Sequence, residues 1–372
     1  MREHAPVHEF RFPIGDVPMW MVTRYDDVRD LLADSRFSTD ADFASAEFHG
    51  AGLGWSPVGK IMAVADPPNH TRLRKLAAKS FTPRNVRIWR EVLSEEIGVL
   101  LDSLEGRSEF DVVSDFAPEI PARALGRILG FEVHRHEYVA ANAQAINSGD
   151  PERIPDAAKA LLNLAEELIE IRRQAPGDDL ITHLIAAREG EDRLSEDELV
   201  AMIANLVLGG YDTTQTFLAN AILALLDHPH QQEVLRDDPG IASSAVEEFL
   251  RYEGSLTTLN WRFAKHELEL AGTGLPAGAP VLAGVMSANR DASRFPDPDR
   301  LDLTRKDVRH LGLGHGIHNC IGAAMARLVA ELAIPALVTR FPTISLAVPR
   351  SEINYRPSFF VRSIEALPLT VG

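Results

Sequence analysis

The chain predicts a mainly α-helical fold with small β-sheets, an α+β arrangement, on three observations. Helical periodicity dominates from His70 to Ala187; a capping box at Ser195 opens an apolar stretch with no proline before Pro229; strand-like runs are short and lie among turns. With 372 residues, 45% of them hydrophobic and 25% charged, the chain can bury a large core and is not disordered. No repeat and no linker marks a boundary, so residues 1–372 are taken as a single domain.

In chain order, Val7 to Phe12 and Trp20 to Thr23 read as two strands joined by a turn through Pro13, Gly15 and Pro18. Tyr25 to Ala33 reads as a helix, with Val28, Leu31 and Leu32 at helical spacing. Thr39 to Gly59 is rich in Gly, Ala and Ser and has no strand ahead of its glycines, so it reads as a mobile loop rather than a nucleotide-binding one. Helices then succeed one another to Ala187, with breaks expected at Pro83, Gly106, Pro118, Pro121, Gly130, Pro151, Pro155 and Pro176-Gly177. From Leu268 to about Pro298 the crowding of Gly272, Gly274, Pro276, Gly278 and Pro280 admits only short strands and turns. A last helix spans about Ile321 to Phe341, with a kink expected at Pro335, before short strands near the C-terminus.

The balance of 38 basic against 54 acidic residues, net −16, argues against nucleic acid as a partner. One cysteine makes no internal disulfide, and the first dozen residues hold neither a signal segment nor a membrane span, so the protein is expected to be cytoplasmic and to need no membrane. Against that acidic background, Pro67 to Arg90 carries seven basic residues and no acid. Such a stretch is either a solvated helix face or a docking site for something acidic.

Two motifs carry chemistry. The helix after Ser195 could run some 30 residues, roughly 48 Å at 1.5 Å per residue, and its centre reads Gly209-Gly210-Tyr211-Asp212-Thr213-Thr214. Each interior glycine costs on the order of 1 kcal/mol against alanine, and a buried carboxylate needs a partner. Glycine lets a planar group approach the backbone, and a hydroxyl beside a carboxylate offers a proton path; equally, the glycines could serve packing, with Thr213 bonded back to a carbonyl. The second motif is Leu311 to Gly322, where alternating glycines precede Cys320 at the start of a helix. The helix dipole and backbone N–H groups favour the thiolate there, and a thiolate can ligate a metal. An inert buried cysteine, a nucleophile, and a zinc site from His315, His318 and Cys320 all remain open on this pattern.

These residues resemble the cytochrome P-450 family, specifically its soluble bacterial members. Leu313, Gly314, Gly316, His318, Cys320 and Gly322 align with the family's haem-loop signature, and Gly209 to Thr213 with its central-helix signature. Glu248-Phe249-Leu250-Arg251 matches the Glu-x-x-Arg element, and Pro298 to Leu301 the Pro-x-Arg-Phe element after it. His70 to Arg74, behind Asp66-Pro67-Pro68, and Asn289-Arg290-Asp291 also fit; the elements fall in family order over about residues 20 to 371.

The resemblance implies the cytochrome P-450 fold, with the long helix over a haem b whose axial thiolate is Cys320, the sole metal ligand from the chain. It implies that His70, Arg74, Arg262 and His318 hold the haem propionates, that Gly210 and Gly314 lie against the cofactor, and that Asp212 and Thr213 pass protons during oxygen activation. Leu206, Leu256, Leu259, Phe360 and Val361 correspond to pocket walls, with Thr257 and Thr258 as polar contacts. Glu248, Arg251 and Arg300 correspond to a structural ion-pair network. The implied function is a monooxygenase that uses dioxygen, with electrons from NAD(P)H through a ferredoxin or flavodoxin and its reductase. Its implied substrate is a largely apolar small molecule, met in natural-product tailoring, and its implied state is a monomer. The alternatives are oxidative coupling or ring formation without oxygen insertion and, remotely, a zinc or structural protein. Leu313 and Leu301 replace phenylalanines usual in their motifs, and the usual leading helix is expected to be missing or cut.

Overall fold

The computed structural model describes residues 2–53, 61–79, 81, 83–130, 135–148, 150, 152–187 and 193–371. Residues 54–59 of the expected loop, the expected break at Pro151 and the side chain of Arg84 lie outside the described residues.

The helices are α1 (Tyr25–Ala33), α2 (Ala46–Gly50), α3 (Asn69–Ala78), α4 (Pro83–Leu104), α5 (Glu119–Leu129), α6 (His136–Asn147) and α7 (Ile154–Gln174). They continue as α8 (Leu180–Ala186), α9 (Glu196–Leu226), α10 (Pro229–Asp237), α11 (Ala242–Tyr252), α12 (Val285–Ala288) and α13 (Ala323–Arg340). Of the expected breaks, Pro121 and Pro155 lie instead in the first turns of α5 and α7. The strands are β1 (Val7–Phe12), β2 (Val17–Val22), β3 (Phe37–Ser38), β4 (Glu109–Asp111) and β5 (Leu259–Ala264), then β6 (Leu268–Leu270), β7 (Thr273–Leu275), β8 (Pro280–Ala283), β9 (Ser345–Leu346) and β10 (Pro368–Thr370).

The central helix α9 organises the fold. Its capping box is formed: Ser195 Oγ accepts the Glu198 N–H and the Glu198 carboxylate accepts the Ser195 N–H. Its first half, from Leu199 to Tyr211, packs into a core with α5, α6, α7 and α8; its second half, from Phe217 to Leu225, packs into another with α4, α11 and α13. The Gly209 to Thr214 stretch is the hand-over between the two, and the helix runs through it unbroken for 31 residues. Helix α13 likewise continues through Pro335, whose ring is buried.

A five-stranded sheet of order β1-β2-β8-β5-β3 carries a third core beneath α1; only β2 and β8 run parallel in it. Within it β5 pairs Leu259 with Ala283 and Arg262 with Val281, so β5 holds one extra residue over that interval. Partners two apart on β8 share a face, and the bulge therefore brings Leu259 and Arg262 to one face although they are three apart. The described part of the expected loop, Thr39 to Leu53, is more ordered than its composition suggests. Ser45 caps α2 and Phe48 is fully buried in a fourth, aromatic core with Phe12, Val17, Met19 and Phe263. The strand β4 interrupts the helical block unannounced by periodicity, because its partner β10 lies some 260 residues away.

Candidate active site

Cys320 ends a loop shaped by its glycines. The Gly314 N–H donates to the Leu311 carbonyl at 2.9 Å and the Cys320 N–H to the Leu313 carbonyl at 2.8 Å. Gly314 and Gly316 have φ of 78° and 71°, a region L residues rarely adopt, and a Cβ on Gly316 would stand 2.8 Å from the Leu32 carbonyl oxygen. The helix behind the thiol begins at Ala323, two residues later than expected, with Gly322 at its cap. Burial pushes the Cys320 thiol up, against the Gly322 N–H and the charges of Arg74 and Arg327, which pull it down.

Around the loop stand the expected basic groups. The rings of His70, on α3, and His318 lie 4.3 Å apart. Both nitrogens of His70 and Nδ1 of His318 are buried with no hydrogen-bond partner among the described residues, while His318 Nε2 lies 3.5 Å from Thr39 Oγ1. Arg74 donates to Asn319 Oδ1 at 2.7 Å, and Arg262, 5% exposed, donates to the Trp261 carbonyl at 3.2 Å. Burial, then Arg262 and His70, press His318 down to about 3. Burial and Arg74 lower His70, and burial alone lowers Arg74 and takes Arg262 to about 10. Four basic groups are gathered where protonation is disfavoured. The opposing charge felt by His70, Arg262 and His318 is Asp66, itself engaged by the Thr39 N–H at 3.1 Å and by Lys265 at 3.4 Å. Leu259 reaches the cysteine loop, since its Cδ1 would lie 3.8 Å from a Cβ on Gly314.

On α9, Thr213 is half-buried and donates to the Gly209 carbonyl at 2.6 Å, while Asp212 is buried and accepts from Gln215 Nε2 at 2.8 Å. A Cβ on Gly209 would meet nothing within 4 Å, whereas one on Gly210 would stand 3.0 Å from Leu125. Gly209 is therefore the glycine that opens the helix face, and Gly210 admits α5. Leu206 belongs to the same apolar cluster as Tyr211, and Ile321 and Met325, just beyond the thiol, pack against it. Leu256 bridges to Val361, and the Thr257 N–H donates to the Phe360 carbonyl at 2.9 Å. The hydroxyls of Thr257 and Thr258, read as polar contacts for a ligand, both donate to the Phe359 carbonyl, at 2.7 and 3.2 Å.

Behind the loop, Arg251 makes a two-pronged bond to Glu248 at 2.7 and 2.8 Å, with both side chains wholly buried. The second side chain on Glu248 is Arg305, at 3.2 Å; Arg300 offers Arg251 only its carbonyl, at 3.1 Å. Arg300 thus gives way to Arg305, because the chain turns between them and aims the later guanidinium inward. The neighbouring Glu247 binds Arg327 at 2.6 Å and His310 at 3.1 Å, and His310 Nδ1 accepts the Gly312 N–H at 3.0 Å. Sequence reasoning missed Glu247, His310 and Arg305, which carry no motif of their own. On the basic stretch, Arg72 is held by Glu198 and Arg90 by Glu331, while Lys79 and Arg87 are exposed. Among the described residues no three His, Cys, Asp or Glu could hold a metal ion, which removes the zinc reading of His315, His318 and Cys320. No helix among them is long and apolar enough to cross a membrane.

Comparison with known proteins puts this arrangement among the haem-thiolate oxidoreductases. The family described as Cytochrome P-450 matches residues 128–238 and 241–363. Cytochrome P-450 107B1 of Saccharopolyspora erythraea is 38% identical over 383 residues, covering 100% of this chain and 93% of that protein. A myxobacterial cytochrome P-450 crystallised with myristic acid superposes with a TM-score of 0.95 at 35% identity, over 100% of this chain and 94% of the other. The bacillaene polyketide synthase cytochrome P-450 of Bacillus subtilis superposes at 0.92 with 34% identity, over 100% and 95%. The chain belongs to the cytochrome P-450 family and is a monooxygenase.

Proposed function

We propose that Cys320 is the axial thiolate of a haem b and that His70, Arg74, Arg262 and His318 hold its two propionates. The single observation that carries this is the convergence of orphaned imidazole nitrogens, the buried Arg262 and the half-buried Arg74 beside the only thiol, a donor set that suits two carboxylates. When bound, haem supplies the redox chemistry that activates dioxygen, with electrons from NAD(P)H delivered through a ferredoxin or flavodoxin and its reductase.

The chain's own residues do the rest. Gly209 leaves the face of α9 open, and the Thr213 hydroxyl, beside Asp212, stands at that face to hand a proton to the reacting oxygen. Leu206, Leu256, Leu259, Phe360 and Val361 keep water out and bind the ligand's apolar body. With the Thr257 and Thr258 hydroxyls donated to Phe359, the wall offers few donors, which suits a largely apolar molecule. Hydroxylation or epoxidation of such a molecule in natural-product tailoring is the reading these walls support best. The relatives' myristic acid complex and polyketide association lean the same way. The exposed Lys79 and Arg87 make the basic stretch the place for an acidic redox partner. The reading takes the chain as a cytoplasmic monomer of one domain. Cys320→Ser tests it: the variant should keep its circular dichroism while losing the carbon monoxide band of thiolate-ligated haem and all turnover. Retention of both would refute the assignment.

A further inference from the structure

We propose that Trp261 is a positioning residue that sets the largest ligand the pocket admits, by bracing Phe360 against the 41–53 loop. The inference rests on the reading of Phe360 as pocket wall.

Trp261 sits within the β5 bulge, between Leu259 and Arg262, and is half-buried. Three rings meet it edge-on: Phe48 at 5.3 Å and 80°, Phe12 at 5.6 Å and 81°, and Phe360 at 5.3 Å and 87°. The partners come from the loop, from β1 and from the segment after Ser358. The loop end is firm, for Phe48 is fully buried and also meets Phe263 at 5.1 Å. At the pocket end the backbone of Phe360 is tied to the Thr257 N–H, but its ring is not. Its other ring neighbour, Phe359, is 6.5 Å away and is engaged with Phe12 at 4.7 Å. The Trp261 ring is therefore what orients Phe360, since edge-to-face contacts fix angle as well as distance. A merely structural tryptophan would change stability and treat every ligand alike. A brace would change how the pocket discriminates by size, because truncation lets the Phe360 ring swing back into the space left behind.

The haem-loaded protein and its Trp261→Ala and Trp261→Phe variants are titrated with imidazole and with 4-phenylimidazole, two ligands that share the imidazole and differ by a phenyl group, each compared with its own parent value, and followed by the Soret shift. Trp261→Ala should tighten 4-phenylimidazole by at least about five-fold and leave imidazole within about two-fold. Trp261→Phe, which keeps an aromatic edge, should leave both near the parent value. Adding Phe360→Ala to Trp261→Ala should give no further gain, because one ring is then being removed twice over. Equal shifts for the two azoles, no shift for either, or weaker binding of the bulky one would overturn the inference. Should Trp261→Ala lose haem, Trp261→Leu fills the volume without an aromatic edge and is judged by the same ratio. A parent protein that binds neither azole would instead sink the haem reading, and this inference with it.

Discussion

Two groups of buried charge lie close to the cysteine loop, and they are built in opposite ways. On α11, Glu248 and Glu247 are saturated: one by Arg251 and Arg305, the other by Arg327 and His310. Around His70, Arg74, Arg262 and His318, basic side chains are gathered where burial disfavours their charge, and three imidazole nitrogens have no hydrogen-bond partner among the described residues. A closed network holds the protein together, since every desolvated charge is repaid inside the chain. An open one is a cost to the folded protein that only an anionic ligand offsets. Motif matching names residues of both groups; satisfaction of their hydrogen bonds is what tells scaffold from site.

The largest effect is expected from breaking the closed group. Glu248→Ala leaves Arg251 buried without its carboxylate and should cost about 3–5 kcal/mol, read by urea unfolding of the haem-free protein. A loss near zero would erase the contrast. Arg262→Met should do the reverse: urea unfolding of the haem-free protein is unchanged or shifted to higher denaturant. Haem transfer to an acceptor protein should meanwhile accelerate about 10- to 100-fold, the worth of one charge-assisted hydrogen bond.

The smallest effect is a difference in pH windows. Burial and Arg74 hold His70 below its ordinary value, so the unfolded chain takes up that proton first and stability is lost as pH falls below about 6.5. Burial alone would raise Glu247, but His310 and Arg327 overcome it and hold it at about 2, so its contribution survives to about pH 4.5 and is lost between there and about 2. Acid titration of stability should show both steps in the haem-free protein. Haem loading should shrink only the upper one, and Glu247→Gln only the lower. A single step insensitive to haem would contradict the division.

Much of this molecule is legible residue by residue. The turn at Pro13 and Gly15 marks β1, although β2 begins at Val17 rather than Trp20 and takes Pro18 into the strand; the spacing of Val28, Leu31 and Leu32 marks α1 to the residue, and Ser195 with Glu198 starts α9 where the capping box says. The glycines around Cys320 announce a loop because positive φ is nearly theirs alone. These signals are local: each depends on a few neighbouring residues and on backbone sterics. The loop after Thr39 misled, since composition shows polarity and small size but not that Phe48 finds a buried aromatic pocket between strands.

What the amino-acid order determined by itself was the set of elements and the reactive residues they carry. Only the tertiary structure decided which of those residues meet. That Arg305 rather than Arg300 reaches Glu248, that a bulge turns Leu259 and Arg262 to one face, that Gly209 opens α9 while Gly210 admits Leu125, and that His70 and His318 come together all depend on packing between segments tens to hundreds of residues apart. Local preference sets a residue's conformation, but which distant side chain fills the space beside it is settled by the shape and hydrogen-bonding capacity of the whole core.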